Sequence, residues 1–414
     1  MIENFLKFHC LQTSPLKLIE SAYNLIPAKA NPHTVATAER ILSTVVGSSI
    51  QFTRIECLSK RTRRNLLLRC HNSSEIGLPS SLMIKQLRVN PHRLEDANSW
   101  HTVRFFHDWV GAQFLSTLPD NFRHSPRFYG GDRNSGLIIL EDVQNAARLV
   151  ESLLGNDYAQ AEQALLQYAE CLGQLHAQTI GKAAEFEEMF KAIAPNVKPI
   201  RDTVNIHKHQ LMLESLGICT ENRWLHDLEA INETINHPGE YLAYIHADAC
   251  PDNVLDTGAG LRLIDFETGH FGHALIDAAY GRMMFPSCWC ANRLPHAVVQ
   301  QMEDTHRAVL IQRCPVAADD RRFEIALVKA CGFWLLYTLT RHLESALRKD
   351  LNWGTSTIRQ RILARLEAFI TTSQEFNQLP GLRNTSSQLL DLLRHRWSDV
   401  PDLPLYPAFQ DLPV

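Results

Sequence analysis

The sequence lacks any strong excess of charge. Its 414 residues carry 41 Lys and Arg against 45 Asp and Glu, a formal net charge of −4 at pH 7. Proteins that bind nucleic acid or anionic membranes concentrate positive charge, so this composition predicts neither kind of partner. With 45% hydrophobic and 21% charged residues, it is the composition of a folded chain long enough to divide into two lobes.

Long apolar runs are also missing. The start of the chain carries Lys7 and His9 where a secretory signal needs an unbroken apolar stretch. The most apolar stretch, 326–339, is interrupted by Lys329 and is shorter than the roughly 20 residues that span a bilayer. We therefore expect neither a signal nor a transmembrane helix. Ten scattered cysteines are too few for a disulfide scaffold and are typical of reduced thiols in a cytoplasmic protein.

Internal repeats and low-complexity tracts are absent as well, which argues against a solenoid. The first part of the chain instead contains short runs with strand character, separated by polar or Gly/Pro/Asn breaks. These runs cover 49–58, 65–70, 82–89 and Leu137–Glu141. Between the third and the fourth, apolar residues recur every four positions over 100–118 and predict one amphipathic helix.

The rest of the chain has mainly helical periodicity, with later candidate helices at roughly 299–312, 322–348, 357–374 and 384–396. One stretch differs, because two apolar runs, Leu242–Ile245 and 261–264, bracket a polar segment that ends in a Thr-Gly-Ala-Gly turn signal. We expect two short strands with a loop between them. The predicted divisions are a helical extension over 1–44, a strand-rich lobe over 45–142 and a helical lobe over 143–414.

The loop between these two strands carries the strongest motif. His-x-Asp-x-x-x-x-Asn is followed, after the second apolar run, by Asp-Phe-Glu, and this arrangement resembles the catalytic and metal-binding loops of the protein-kinase-like phosphotransferases. The residues are His246, Asp248, Asn253, Asp265, Phe266 and Glu267. The competing interpretation is that these polar residues only satisfy turn hydrogen bonds. Several matched positions between two apolar runs favour the motif.

Phosphoryl transfer from ATP explains the spacing. The reaction needs a carboxylate that orients the acceptor hydroxyl and takes its proton, and a divalent metal that offsets charge on the phosphate oxygens. Asp248 is our candidate for the carboxylate. Asn253 and Asp265 offer hard oxygen ligands for Mg²⁺, and Glu267 completes the metal shell or holds its waters.

A lysine on the third strand is a further requirement. Lys85 lies in the run Ser-Leu-Met-Ile-Lys, which resembles the Val-Ala-Ile-Lys pattern of kinases. Strand alternation puts Lys85 on a face with Met83 and Leu87, aimed inward, where its ammonium needs a counter-charge. Asp108 on the predicted helix is the candidate carboxylate. The alternative for Lys85 is an edge-strand lysine whose ammonium group reaches solvent. The alternative for Asp108 is an aspartate without this role, because kinases usually have Glu at that position of the helix.

The turn at 59–65, where kinases place a glycine-rich loop over the phosphates, contains no glycine. Its four cations could compensate for the lost backbone approach, or the turn is simply a solvated basic one. Glu141 ends the fourth strand-like run, Val143 lies two residues further on, and this segment marks the passage between the predicted lobes. We expect adenine to hydrogen-bond to backbone groups there, since lobe junctions commonly bind ligands.

Together these residues resemble the aminoglycoside phosphotransferase and choline kinase branch of the protein-kinase-like superfamily, over roughly residues 45–345. Asp-Phe-Glu replaces Asp-Phe-Gly, no Ala-Pro-Glu segment follows, and 172–176 reads Leu-Gly-Gln-Leu-His, a pattern familiar in that branch. The resemblance implies an α+β, two-lobed kinase-like fold with a small antiparallel-sheet lobe and a larger helical lobe. It also implies that His246 braces the loop, and Ala247 departs from a glycine common in that position.

The resemblance further implies an ATP- and Mg²⁺-dependent transfer of phosphate to a hydroxyl of a small molecule, such as an antibiotic, amino alcohol or sugar. The alternative is a pseudokinase that binds nucleotide or a partner without catalysis, which the missing glycine loop would favour. Protein phosphorylation is weakened by the lack of a recognisable activation segment. Asp277 is expected either to brace the catalytic loop or to cap a helix.

Two other groups of residues leave alternatives open. A zinc site is conceivable from His270, His273, Cys288 and Cys290, but both spacings are poor and ordinary packing is favoured. Acidic residues after the metal loop could attract a cationic acceptor, although a solvated mixed-charge helix face explains them at least as well. They are Glu303, Asp304, Asp319 and Glu324.

Overall fold

The computed structural model describes residues 32–60, 63–73, 77–88, 94, 96–119 and 123–410. Numbered along the chain, the helices are α1 Pro32–Val46, α2 Trp100–Leu115, α3 Leu149–Leu154, α4 Tyr158–Thr179, α5 Ala183–Ile193, α6 Ile206–Glu214, α7 Asn222–Asn236, α8 Leu275–Ala278, α9 His296–Leu310, α10 Asp320–Arg348, α11 Ile358–Glu375 and α12 Pro380–Arg396. The strands are β1 Arg54–Cys57, β2 Asn65–His71, β3 Ser81–Leu87, β4 Phe128–Asp132, β5 Leu137–Glu141, β6 Ala147–Arg148, β7 Leu242–Ile245, β8 Val254–Asp256, β9 Leu261–Leu263, β10 His270–His273, β11 Asn352–Trp353 and β12 Ser356–Thr357.

The chain forms two compact units. The first contains the described residues up to Ala146 together with Ala184–Ile200 and Arg262–Gly269, and the second contains Ala147–Ala183, Arg201–Leu261 and the described residues from His270 onward. The predicted division at 142 lies close to the first crossing between units. Two short later segments nevertheless join the first unit, because they pack there rather than with the helices that flank them in sequence. Residues 1–31 of the predicted extension lie outside the described residues.

The first unit is built on an antiparallel sheet with strand order β1-β2-β3-β5-β4. Buried and half-buried residues alternate along β2, as expected for a strand with one face on a core. That core contains Ala38, Leu42, Ile50, Leu66, Leu68, Cys70, Leu82, Ile84, Leu137 and Ile139. Because α1 contributes Ala38 and Leu42, the helix predicted as part of a separate extension is integral to this unit.

The sequence pattern missed strand β4, whose residues read Phe-Tyr-Gly-Gly-Asp. Glycine lowers strand propensity, yet both glycines are required here by close neighbours. A Cβ on Gly130 would lie 2.5 Å from the side chain of Ile41 on α1, and one on Gly131 would lie 2.7 Å from Trp109 on α2. Close packing of two helices against this strand therefore requires glycine at both positions. The same glycines lower the strand propensity of the segment, so the strand was not predicted.

The second unit is mainly helical, which confirms the predicted texture. Helix α4 packs against α9, and α11 packs against α10 and α12. The longest helix, α10, begins at an Asp319 N-cap that accepts from the amide of Arg322 at 3.0 Å. Among the described residues, α10 alone is long and apolar enough to cross a membrane, but 72% of its most apolar window is buried inside the protein. That burial is typical of a core helix.

Strand β7 leads into the loop that carries His246 and Asp248 through a residue with unusual backbone geometry. Ala247 has φ 57°, in the left-handed region where a Cβ crowds the following carbonyl oxygen. This explains why glycine is the common residue at the position in the resembling family. Ala247 is thus accommodated at a cost in stability.

We predict that Ala247→Gly stabilises the protein by about 0.5 to 1 kcal/mol. Relief of the left-handed penalty of about 1–2 kcal/mol outweighs the greater flexibility of glycine in the unfolded chain. Urea unfolding of the two proteins at pH 7.5 measures the difference. Ala259→Gly, in the exposed turn after β8, is the control; equal or lower stability of Ala247→Gly would contradict the assignment of strain.

Buried histidines make the second unit sensitive to acid. Burial lowers the pKa of His209 to about 4 and the pKa values of His273, His306 and His342 to about 3, from an ordinary 6.5. The folded protein keeps these rings neutral, whereas the unfolded chain protonates them below about pH 6.5. The unfolded state therefore binds more protons in acid, and these histidines reduce stability as the pH falls.

The free energy of unfolding is expected to decrease between pH 7 and pH 5, with each such histidine contributing up to roughly 1.4 kcal/mol per pH unit. Urea unfolding at several pH values measures the slope. His273→Asn should reduce the slope, whereas His237→Gln, at a side chain that is 72% exposed, should leave it unchanged. Identical slopes for wild type and His273→Asn would contradict the prediction.

Candidate active site

Lys85 is the centre of a buried ion-pair cluster in the first unit. Its Nζ lies 2.6 Å from Oδ2 of Asp108 and also contacts Oδ1 of Asp265. Burial alone would lower the pKa of Lys85, but the two carboxylates outweigh burial and raise that pKa above its ordinary value. Burial raises the pKa of Asp108, and Lys85 opposes this rise. The lysine is thus held as a cation among carboxylates.

Two secondary-structure elements aim these side chains at each other. On β3, Leu82 and Ile84 lie in the core, so alternation places Lys85 on the opposite face of the sheet. On α2, Arg104 and Asp108 are four residues apart and share one helix face. The inward direction predicted for Lys85 therefore agrees with its position, where its side chain is 12% exposed.

His107 fastens the segment that carries Asp265. Its Nδ1 lies 2.7 Å from the carbonyl oxygen of Gly269, and its Nε2 lies 3.0 Å from the amide nitrogen of Ile200. A carbonyl only accepts and an amide only donates, so these partners place the proton on Nδ1. Asp265 itself has φ 69°, a left-handed conformation that aspartate tolerates better than most residues. The sequence analysis did not identify His107.

Glu267 is buried in the first unit, where its carboxylate contacts the guanidinium groups of Arg64 and Arg104. Arg64 lies at the end of the glycine-free turn between β1 and β2, and its Nη1 is buried without a hydrogen-bond partner among the described residues. The basic turn was expected from the sequence and Arg104 was not, although the i, i+4 spacing of Arg104 from Asp108 is a signal that could have indicated it.

These cationic groups line one cavity. The lining residues are Arg64, Asn65, Lys85, Leu87, Arg104, Phe105, Asp108 and Ile138. Three of them carry positive charge, and one guanidinium nitrogen there has no hydrogen-bond partner within the described residues. The chemistry of this cavity therefore fits the oxygens of a phosphate group.

Asp277 braces the catalytic loop in the second unit. Its carboxylate accepts from the backbone amides of His246 and Ala247 at 2.7 and 2.9 Å, and Nε2 of His176 lies 3.2 Å from it. Burial alone would raise the pKa of Asp277, but the hydrogen bond and charge of His176, with His246, hold it below its ordinary value. Of the two roles left open from the sequence, the geometry supports the bracing role.

Further hydrogen bonds fix the loop around Asp248. Tyr168 OH donates to the carbonyl oxygen of Ala249 at 2.7 Å, and Nδ2 of Asn253 donates to the carbonyl oxygen of Asp248 at 3.0 Å. The carboxylate of Asp248 accepts at Oδ1 from the hydroxyl of Ser287 and, at 3.3 Å, from that of Tyr280. Neither hydroxyl was selected from the sequence, because both lie over 30 residues away along the chain.

A disulfide joins Cys250 to Cys288 beside Asp248. The prediction that the cysteines are reduced thiols is wrong for these two, because the fold brings their Cα atoms to 5.5 Å. The other cysteines within the described residues are free. The alternative zinc ligands do not converge: His270 pairs with Asp202 at 3.1 Å, and His273 accepts from the amide of Leu275 at 3.2 Å.

The segment expected to contact adenine is held through its neighbours. The amide of Glu141 donates to the carbonyl oxygen of Arg127 at 2.8 Å, and its carboxylate accepts from the amide of Arg127 at 3.0 Å. The adjacent Asp142, which the sequence analysis did not select, accepts from Nε of Arg69 at 2.6 Å and from Ser81 at 2.5 Å. The amide of Glu141 therefore already has an acceptor in Arg127. Val143 follows Asp142, whose side chain is held by its hydrogen bonds to Arg69 and Ser81.

The predicted site residues thus fall into two groups. Lys85, Asp108, Asp265 and Glu267 meet in the first unit. Asp248 and Asn253 meet in the second unit. Together with Arg64 and Arg104, Lys85 of the first group offers positive charge for an anion, and the second group offers a carboxylate on a rigid loop.

Solved structures with similar folds include several small-molecule kinases. A choline/ethanolamine kinase family protein from Mesorhizobium loti is 16% identical with a TM-score of 0.44, covering 85% of this chain and 99% of that one. Choline kinase LicA from Streptococcus pneumoniae is 14% identical with a TM-score of 0.41, covering 82% and 99%. Macrolide 2'-phosphotransferase MphH from Brachybacterium faecium is 14% identical with a TM-score of 0.37, covering 74% and 95%.

No curated protein sequence matches the chain. A family model described as the phosphotransferase enzyme family matches residues 89–310, which is more than half of the chain. The matched range contains Asp108, Asp248, Asn253 and Asp265, and Lys85 lies just before it. The resemblance inferred from the motifs is confirmed by this match, and the chain belongs to the phosphotransferase enzyme family.

Proposed function

We propose that this phosphotransferase moves the γ-phosphate of ATP to a hydroxyl group of a small molecule in an Mg²⁺-dependent reaction. The observation that carries the proposal is the buried Lys85 held by Asp108 and Asp265. Lys85 and Asp265 are 180 positions apart, and separate motifs selected them. A lysine kept charged by a helix carboxylate and by the metal-loop aspartate is the arrangement that phosphoryl transfer uses on the nucleotide phosphates.

Arg64 and Arg104 are assigned to the phosphates alongside Lys85. The turn at 59–65 contains no glycine, so its backbone cannot approach a phosphate as closely as a glycine-rich loop does. Guanidinium groups bind phosphate oxygens through two parallel hydrogen bonds. The three side chains line one cavity, which supports a phosphate site built from side chains.

Asp265 and Asn253 are the proposed magnesium ligands. Nδ2 of Asn253 donates to the carbonyl oxygen of Asp248, so the amide oxygen is the atom that remains for a cation. Carboxylate and amide oxygens are ligands that Mg²⁺ prefers, and bound Mg²⁺ offsets negative charge on the phosphate oxygens. Glu267 binds the metal only when phosphate oxygens have replaced its carboxylate as the partner of Arg64 and Arg104.

Asp248 is the proposed base. Its loop is fixed by Asp277 and Tyr168, so its carboxylate is presented with little freedom, as positioning of an acceptor hydroxyl requires. The carboxylate orients that hydroxyl and accepts its proton as the bond to phosphorus forms. For adenine, the engaged amide of Glu141 makes the backbone of Val143 the better candidate.

The acceptor is proposed only as a hydroxylated small molecule. Of the acidic residues considered as attractors of a cationic acceptor, Glu303 is buried and binds Nε of Arg282 at 2.6 Å, and Asp319 caps α10. The carboxylate of Glu303 is thus neutralised inside the protein, whereas that of Asp319 is exposed and engaged as a helix cap. A cytoplasmic location, with neither nucleic acid nor membrane as partner, remains part of the proposal.

Asp248→Asn is expected to lower the rate of phosphate transfer at least about 100-fold, because the amide cannot accept the proton, while ATP binding persists. The measurement is transfer of labelled γ-phosphate from Mg-ATP into pooled hydroxylated compounds that include choline, ethanolamine, a macrolide and an aminoglycoside. Asp256→Asn is the matched control, since the amide oxygen can still accept from Gly258 at the turn.

A wild-type rate for Asp248→Asn would contradict the assignment of the base. Binding of Mg-ATP by the wild type without transfer to any acceptor would instead favour the pseudokinase alternative. If the wild type does not bind nucleotide, the proposed phosphate site in the cavity is wrong as well.

Arg64→Ala is expected to weaken ATP binding about tenfold or more, because it removes a charge-assisted hydrogen bond to phosphate in a partly buried cavity. Isothermal titration calorimetry with ATP and Mg²⁺ measures the dissociation constant. Arg54→Ala on β1 is the control, since that side chain is 71% exposed. Equal affinities of wild type and Arg64→Ala would exclude Arg64 from the phosphate site.

A further inference from the structure

Ser287 approaches the candidate base from a segment that no motif includes. Its hydroxyl donates to Oδ1 of Asp248, and the hydroxyl of Tyr280 reaches the same oxygen at 3.3 Å. Burial, with the nearby charge of Asp248, raises the pKa of Tyr280 well above its ordinary value, so the phenol stays protonated. The two hydroxyls also contact each other, so Ser287, Tyr280 and one carboxylate oxygen of Asp248 form a single hydrogen-bonded cluster.

The segment that carries Ser287, residues 283–289, is fixed by two buried arginines of α11. Arg365 donates from Nε to the carbonyl oxygen of Met283 at 3.0 Å and from Nη2 to that of Met284 at 3.2 Å. Arg361 donates from Nη1 to the carbonyl oxygen of Cys288 at 2.5 Å. Burial lowers the pKa of Arg361 to about 10 and of Arg365 to about 9, so both remain cations near neutral pH.

This arrangement is expensive. The described hydrogen bonds of the two guanidinium groups go to carbonyl and hydroxyl oxygens rather than to carboxylates, and burial of a cation without an anion costs free energy. Met284 and Phe285 also have φ 55° and 48°, conformations that non-glycine residues rarely adopt. Backbone strain of this kind persists where function requires the exact position of a residue in the strained segment.

The disulfide joins this segment to the catalytic loop at the point of contact. Cys288 follows Ser287 directly, and Cys250 lies two residues after Asp248. The disulfide therefore connects the two segments within two residues of the hydrogen bond between Ser287 and Asp248. Since Arg361 and Arg365 hold one side and Asp277 holds the other, the disulfide fixes the distance between two anchored pieces.

We propose that Ser287 is a positioning residue for Asp248, and that the Cys250–Cys288 disulfide maintains their contact, so that the oxidised protein has the faster turnover. This inference rests on the proposed function of Asp248 as the base. The hydroxyl holds one carboxylate oxygen of Asp248 in place, so that the carboxylate faces the acceptor hydroxyl in a fixed orientation. It does not contact the reacting atoms.

The redox step balances with an external dithiol. Reduction breaks the sulfur–sulfur bond with two electrons and two protons from a dithiol reductant, which becomes a disulfide, and leaves two thiols at Cys250 and Cys288. Oxidation is the reverse reaction with a disulfide oxidant. Ser287 itself changes no bond in either direction.

The first test is Ser287→Ala, compared with the conservative Ser287→Thr. We expect Ser287→Ala to lower kcat about tenfold, with an unchanged KM for ATP, because one hydrogen bond to a charged group is lost. A structural defect elsewhere would not lower kcat alone. Ser287→Thr keeps the hydroxyl and should restore kcat, and thermal unfolding checks that each variant is folded.

The second test separates the disulfide from its neighbours. Cys288→Ser, and wild type reduced by dithiothreitol, should each lose turnover in the direction of Ser287→Ala. Cys290→Ser is the matched control, since Cys290 is a free buried thiol two residues along the chain, and it should retain wild-type turnover. Addition of Cys288→Ser to Ser287→Ala should cause little further loss, because both changes act on one contact.

One readout does not depend on turnover. Alkylation before and after reduction, followed by peptide mass analysis, should label Cys250 and Cys288 only after reduction. Labelling of both thiols without reduction would overturn the role of the disulfide, and an unchanged kcat in Ser287→Ala would overturn the role of Ser287.

The failure of this inference is distinguishable from that of the proposed function. If Asp248→Asn is inactive while Ser287→Ala matches wild type in kcat, the base stands and Ser287 has no positioning role. If Asp248→Asn retains wild-type transfer, the proposed base is wrong and the positioning role falls with it. Independent, multiplying losses from Cys288→Ser and Ser287→Ala would refute the coupling between disulfide and hydroxyl.

Discussion

The burial of the Lys85 ammonium constrains the first unit more than any other single interaction. A cation that is 12% exposed needs anions at contact distance, and the two it has come from a helix and from a segment 180 residues away. Its position therefore depends on the register of β3, on the face that α2 presents and on the path of residues 262–269. Loss of either carboxylate would leave a buried charge only partly compensated, which is why the three groups behave as a unit.

In the second unit, a buried anion fixes the position of the loop that carries Asp248. Asp277 holds the loop before Asp248 by accepting two backbone amides, and His176 with His306 extends the hydrogen bonding into α4 and α9. The histidine of the Leu-Gly-Gln-Leu-His pattern is thereby explained physically: it supports the carboxylate that supports the loop. Ala247 is held in its left-handed conformation by the same contacts, because one of those amides is its own.

Much of this could be predicted from local patterns. Strand alternation located β2, β3 and β5, and the spacing of polar residues around two apolar runs located Asp248, Asn253 and Asp265. Propensity failed at β4, where neighbouring helices demand glycine. Partners distant in sequence, such as Ser287 for Asp248 or Arg64 for Glu267, have no local signature, since only tertiary packing brings them together. The disulfide was missed because cysteine count and compartment describe a whole chain and not one pair.

The replacement of glycine by arginine at the turn before β2 changes how nucleotide and metal binding depend on each other. A glycine-rich loop offers backbone amides that have no other partner, whereas Arg64 and Arg104 are already neutralised by Glu267. Under the proposed function, phosphate must displace this carboxylate from the guanidinium groups. The released Glu267 would then be a buried anion without a counter-charge, a costly state that a divalent cation relieves. Under the proposed function, triphosphate binding therefore creates the need for a divalent cation beside Glu267, and we expect the two to bind with positive cooperativity.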